Sequence, residues 1–334
     1  MYNPYLESGY FNAKEFLEQK QPFKIVVGGR GTGKTYGIIS ELLETHNADK
    51  KLLFLRRTQS QLEIVANREL NPFYKNMKDL SIDEHFEIKK LNKYVYGMYI
   101  DGDLFGYCAA LSTFANMRGF DMSDVDAVFY DEFIPEKHER KIKSEYDALM
   151  NVYESVNRNR ELQGREPLSL VMASNANTPD GEIVLNLELL DVMEGDAEVW
   201  TDNERGLFVV VMRKSPISDA KTTTALYNVN KDNAFTEMSI DNRASVDDTN
   251  LVKRCNIGGL QSCYAIGDIC IFKGQGFYYV SDKISGAPKM FGTTDSERQR
   301  FRIAASHVWE KYLNRKVFYR NRKSLILFRY YFTR

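Results

Sequence analysis

The chain has 334 residues, 43% hydrophobic and 27% charged, with a formal net charge of -1. That length suggests two domains, since one core rarely grows past roughly 250–300 residues, and the composition is that of an ordinary soluble globular protein rather than a disordered or fibrous one. The longest apolar runs, such as Leu168–Ala173, are strand-length and far below a membrane span.

The N-terminus has neither the basic start nor the apolar stretch of a signal peptide. Four cysteines (Cys108, Cys255, Cys263 and Cys270) show no C-x-x-C pair and no nearby histidine pattern. Reduced thiols in a cytosolic protein are therefore the simpler reading than a zinc site.

In chain order, residues 2–20 are polar and aromatic and are expected to pack near the site that follows. Phe23–Val27 is an apolar, β-branched run that reads as a buried strand, and Tyr36–Leu43 has helical spacing. Between them lies Gly28-Gly29-Arg30-Gly31-Thr32-Gly33-Lys34-Thr35, which fits G-x-x-x-x-G-K-[ST]. Strand, glycine loop and helix start together make a nest of backbone N–H groups aimed at an anion. Lys34 would reach the β- and γ-phosphates of a nucleoside triphosphate, and the Thr35 hydroxyl would hold Mg²⁺.

Lys51–Leu55 reads as a second strand, ending at Arg56 and Arg57. Residues 94–107 read as a hairpin around the turn Asp101-Gly102. Val125–Tyr130 is another buried strand, Ser144–Arg160 a charged helical stretch, and Leu168–Ala173 the next strand. Parallel-type strands alternating with helices argue for an α/β sheet covered on both faces. Residues 180–203 are acidic with little strand character, and Leu207–Met212 reads as a last strand. The expected domains are an N-terminal one over 1–214, a linker at 215–225, and a smaller α+β domain over 226–334. There, residues 264–271 and 276–281 read as antiparallel strands. Phe301, Ala304, Ala305, Val308, Trp309 and Tyr312 form a helical core stripe.

Hydrolysis needs carboxylates facing the phosphate loop, and Asp131-Glu132 supplies them at the end of a hydrophobic strand. Asp131 would bind Mg²⁺ with Thr35, and Glu132 would polarise the attacking water. Asn175, closing the following strand with Ser174, is placed to sense the γ-phosphate, although an N-cap or Asx-turn explains both residues equally well. Arg158 and Arg160 read either as exposed helix residues or as an arginine finger offered to a neighbouring subunit. Arg30 would contact nucleotide or a subunit junction. From Arg298 to Arg334 there are eleven basic residues against one acid, Glu310. Such segregation suggests an anionic partner or a solvated helix face.

The phosphate loop, Phe54-Leu55-Arg56-Arg57, Phe129–Ile134, Arg158–Glu161 and Ser174-Asn175-Ala176 together resemble the φ29-type phage DNA-packaging ATPases. The resemblance runs across roughly residues 20–180, with a weaker echo at Thr236–Asn242. It implies an additional-strand, Glu-containing (ASCE) P-loop ATPase using ATP and Mg²⁺. It also implies a homomeric ring, a pentamer, at the procapsid portal in the host cytoplasm, driving double-stranded DNA inward. Arg158 would be the trans-acting finger, with Arg56 or Arg57 near the subunit interface. The C-terminal domain would be RNase H-like and nuclease-inactive, gripping DNA, portal or a structural packaging RNA. No membrane partner is expected. The alternatives are a terminase-like ATPase whose C-terminal domain still cuts DNA, and a nucleotide switch without motor action.

Overall fold

The computed structural model describes residues 2–45, 50–82, 85–117, 120–136, 139, 141–177, 181–213, 215–229, 249–282 and 286–333. The chain divides into two compact units. One comprises Met1–Leu187 with Gly195–Ser245, the other Glu188–Glu194 with Val246–Arg334.

The first unit is built on a nine-stranded sheet. Its strands are β1 (Phe23–Gly28), β2 (Lys51–Arg56), β3 (Phe86–Lys90), β4 (Val95–Ile100), β5 (Asp103–Ala110), β6 (Val125–Asp131), β7 (Ser169–Asn175), β8 (Val199–Asp202) and β9 (Leu207–Met212). Their order is β3-β4-β5-β2-β6-β7-β1-β9-β8. Six neighbours, β5 through β9 in that order, run parallel, and antiparallel strands close both edges. The parallel strands are buried on both faces, which is why they read as unbroken apolar runs; all six residues of β9 are buried. β7 stands between the phosphate-loop strand β1 and the carboxylate strand β6. This inserted strand defines an additional-strand P-loop fold.

Close strand packing fixes one glycine: a Cβ on Gly106 of β5 would lie 2.4 Å from the Leu52 carbonyl oxygen. The hairpin β4–β5 turns on Asp101 (φ 52°) and Gly102 (φ 86°), the left-handed pair that a two-residue hairpin turn requires.

The acidic stretch carries more structure than expected. It holds helices Glu182–Asn186 and Leu190–Glu194 and the edge strand β8, which pairs with β9. The expected linker is also different: Pro216–Lys221 is helical, and Ser215 and Ser218 are fully buried. Ser215 Oγ donates to the Gly9 carbonyl at 2.8 Å, so this segment is fastened to the N-terminus rather than left open. The division between units falls at residue 245. Thr236–Asn242 lies outside the described residues.

The second unit has a five-stranded sheet of β10 (Gln261–Ile266), β11 (Ile269–Lys273), β12 (Tyr278–Ser281), β13 (Lys289–Phe291) and β14 (Val317–Tyr319). β10–β11–β12 form an antiparallel meander, with β13 parallel to β10 and β14 parallel to β12 on the two edges. The expected single strand 264–271 is thus two, broken at Gly267 (φ 48°). The core stripe is likewise split between helices Asp295–Ala304 and Ser306–Leu313, with Phe301, Ala305 and Val308 buried.

Much of the C-terminal positive charge is answered inside this unit. Arg322 pairs with Glu194 at 2.6 Å and Lys323 with Asp191 at 2.7 Å, because the acidic helix Leu190–Glu194 belongs to this unit. Arg298 pairs with Asp295 at 3.1 Å, Arg300 with Glu297, and Arg320 with Asp282 at 3.6 Å. The charge segregated along the sequence is interleaved in space.

Candidate functional site: a phosphate-loop cleft

The ends of β1, β7 and β6 are brought level by their register, which pairs Gly28 with Asn175 and Asp131 with Ala173. Above them the glycine loop leads into helix Lys34–Glu44, with Gly31 (φ 68°) and Gly33 (φ 83°) in the left-handed region that side chains disfavour. A cleft of about 380 Å³ opens here, lined by residues 30–36, Asp131, Glu132, Ser174 and Asn175. Phe11 N–H donates to the Thr32 carbonyl at 2.9 Å, so the N-terminal segment does pack against the loop, as expected.

Lys34 is buried and donates to the carbonyls of Gly28 (3.0 Å) and Gly29 (2.7 Å), to Thr32 Oγ1 (3.3 Å) and to Asn175 Oδ1 (3.3 Å). Burial pushes its ammonium down to about 7, with Asp131 and Glu132 opposing the shift and Lys221 and Arg30 adding to it. Thr35 Oγ1 donates to Asp131 Oδ1 at 2.9 Å. Asp131 is 4% exposed, and its burial raises the carboxyl above its ordinary value against the pull of Arg56.

Arg56 spans both carboxylates, with Nη1 2.8 Å from Asp131 Oδ2 and Nη2 on Glu132. Glu132 adopts φ 57°, and its N–H donates to the Ala173 carbonyl at 2.8 Å. This left-handed step directly after β6 turns its half-exposed carboxylate over the cleft. Arg30 reaches Glu136 from the loop tip.

Asn175 thus lies in the cleft on Lys34. Ser174 also lines the cleft, and its Oγ accepts from the Ile134 N–H at 3.1 Å and so ties down the segment following Glu132. The two adjacent arginines also part company. Arg57 is fully buried, with Nε and Nη2 on Glu145 at 2.9 and 3.1 Å and Nη1 on Glu139 at 3.1 Å, so it cannot sit at a subunit surface. Arg160 is 2% exposed and holds Asp126 (3.1 Å) and the Val125 carbonyl. Arg158 instead caps helix Glu145–Asn157 at φ 46°, is 48% exposed, and pairs with Asp121 at 3.0 Å away from its own cleft. Sequence reasoning missed Lys221, which donates to the Arg30 carbonyl from the segment read as a linker.

Among the described residues, no group of three or more His, Cys, Asp or Glu is placed to hold a metal ion. In the second unit Asp282 is taken up by Asn321 (2.9 Å) and Arg320. Among the described residues, the alternative of an active two-metal nuclease thus finds no supporting cluster of acids. No helix among the described residues is long and apolar enough to cross a membrane.

Glycine loop, inserted strand and paired carboxylates define the first unit as an ASCE P-loop fold. A family model for the Podovirus DNA encapsidation protein (Gp16) matches residues 6–266, and the chain belongs to that family. The DNA packaging proteins of Bacillus phage PZA and Bacillus phage phi29 are each 24% identical over 239 residues. Those residues are 71% of this chain and 66%, just under two thirds, of each relative. In fold, the chain is similar to the Phi-28 gp11 DNA packaging motor, with a TM-score of 0.65 at 17% identity covering 97% of this chain and 98% of that one. It is also similar to the bacteriophage Phi-29 viral genome packaging motor assembly, with a TM-score of 0.62 at 18% identity covering 96% and 99%.

Proposed function

We propose that the chain is an ATP-driven translocase of double-stranded DNA that packages a viral genome into a procapsid. It would act as a homomeric ring, a pentamer, at the portal in the host cytoplasm, with a structural packaging RNA as a further partner. The observation that carries this reading is the juxtaposition of Thr35, Asp131, Glu132 and Lys34 in one cleft, in a member of a DNA encapsidation family.

The backbone N–H groups of Gly28, Gly29, Arg30, Gly31, Thr32 and Gly33 cradle the phosphates. Lys34 exchanges its carbonyl partners for β- and γ-phosphate oxygens. Thr35 and Asp131 offer hard oxygen donors 2.9 Å apart, which suits Mg²⁺, an ion that when bound neutralises charge developing on the phosphates. Glu132 accepts the proton of the attacking water. Arg56 holds one oxygen of that carboxylate and so orients it over the cleft. Asn175 fixes Lys34 and stands beside the γ-phosphate. Arg158, exposed and facing away from its own cleft, serves a neighbour's nucleotide in trans. The second unit grips DNA, RNA or portal.

ATP hydrolysis by the purified chain, measured with and without empty proheads and DNA, tests this reading. A motor is stimulated by its assembled partners. A rate indifferent to both returns the chain to the class of isolated nucleotide switches.

A further inference from the structure

Helix Pro216–Lys221 follows β9 directly and lies against the outside of the phosphate loop. It is held there from below: Ser215 Oγ binds the Gly9 carbonyl, and a Cβ on Gly9 would come within 2.9 Å of Pro216 Cβ. Its last residue, Lys221, is half-buried. The Lys221 ammonium donates to the Arg30 carbonyl, and a Cβ on Gly31 would lie 3.2 Å from Lys221 Nζ. The partner is a neutral carbonyl, and the neighbouring charges at the loop are those of Arg30 and Lys34. Burial lowers the Lys221 ammonium below its ordinary value. Of the cleft's two carboxylates, Asp131 and Glu132 are both engaged by Arg56. Arg30 is answered by Glu136, whereas Lys221 reaches a neutral carbonyl, so Lys221 adds a positive charge at the loop that favours entry of a polyanion.

We propose that Lys221 is a further phosphate-binding residue, which passes from the Arg30 carbonyl to a phosphate oxygen of the bound nucleoside triphosphate. The proposal rests on the nucleotide-binding reading of the cleft. It makes helix Pro216–Lys221, at the end of the sheet and on the chain's path to the second unit, a reporter of phosphate occupancy. An anionic phosphate oxygen replaces a neutral acceptor, so the contact becomes an ion pair only when nucleotide is present.

The test is equilibrium binding of fluorescent ATP and ADP analogues to the full chain carrying Lys221→Met, which keeps an apolar stem, and Lys221→Arg, which keeps the charge. A phosphate contact weakens triphosphate binding about tenfold or more in Lys221→Met. Lys221→Arg recovers most of it, and the melting temperature without nucleotide does not fall. Comparing the loss for ATP with that for ADP assigns the contact to the γ- or β-phosphate. Unchanged ATP affinity in Lys221→Met overturns the proposal. So does a loss of affinity matched by a drop in nucleotide-free melting temperature, which marks Lys221 as a structural clamp. Wild-type chain that binds no ATP would instead overturn the underlying reading of the cleft.

Discussion

Thr35 and Asp131, 96 positions apart in sequence, meet through a 2.9 Å hydrogen bond between hydroxyl and carboxylate. The first stands at the start of the phosphate-loop helix and the second at the end of β6, and the inserted strand β7 sets the spacing between them. Replacing Asp131 by Asn keeps size and hydrogen-bonding capacity but removes the charge that would hold Mg²⁺. Asp131→Asn is expected to slow ATP hydrolysis by about 100-fold and to raise the Mg²⁺ concentration needed for half-maximal rate. A Mg²⁺ titration of steady-state ATPase measures both. An unchanged titration midpoint would remove Asp131 from the metal site.

Lys34 sets a proton-coupling prediction. Burial pushes its ammonium from 10.5 down to about 7. Between those values the unfolded chain holds a proton that the folded chain lacks, so this group's contribution to stability rises with pH across the window. Below about 7 both states are protonated and the burial penalty is felt in full. A triphosphate returns Lys34 to its charged form. Binding of ATP near pH 8.5 should therefore take up protons, seen as a binding enthalpy that changes with the ionisation enthalpy of the buffer. Lys34→Met should abolish that dependence along with most of the affinity.

The buried ion cluster behind the cleft predicts a stability effect without chemistry. Arg57 is fully buried, and Glu145 is 4% exposed and also accepts from Tyr130 Oη at 2.9 Å. Glu145→Ala strands the guanidinium with only Glu139, and should cost about 3–5 kcal/mol in denaturant unfolding. A loss within about 0.5 kcal/mol would show that the cluster relaxes around the change.

A trans role for Arg158 predicts complementation. Arg158→Ala subunits retain Glu132, and Glu132→Gln subunits retain Arg158. Mixed rings should recover part of the ATPase activity at interfaces that combine an intact cleft with an intact finger. No recovery at any mixing ratio would place Arg158 in cis.

The parallel core was legible because doubly buried strands leave continuous apolar runs, and the phosphate loop because its geometry demands glycines at fixed spacing. What stayed hidden depended on partners far along the chain. Arg56 and Arg57 are adjacent, and strand alternation sends them to opposite sides, but only Glu145, 88 positions on, shows which one is core. Helix Pro216–Lys221 is polar and small in composition and reads as linker until Gly9 closes over Ser215. The basic C-terminus reads as a patch until Asp191 and Glu194 arrive from more than a hundred residues away. The split at Gly267-Asp268 was within reach, since a Gly-Asp pair between apolar runs is a hairpin signal.

Hydrolysis at Glu132 is expected to drive DNA movement. That coupling is tested most directly by DNA uptake into proheads with Glu132→Gln in place of the native chain. This variant is expected to bind ATP with near-native affinity, to hydrolyse it at least about 100-fold more slowly, and to stall packaging. Normal DNA uptake by Glu132→Gln would contradict it.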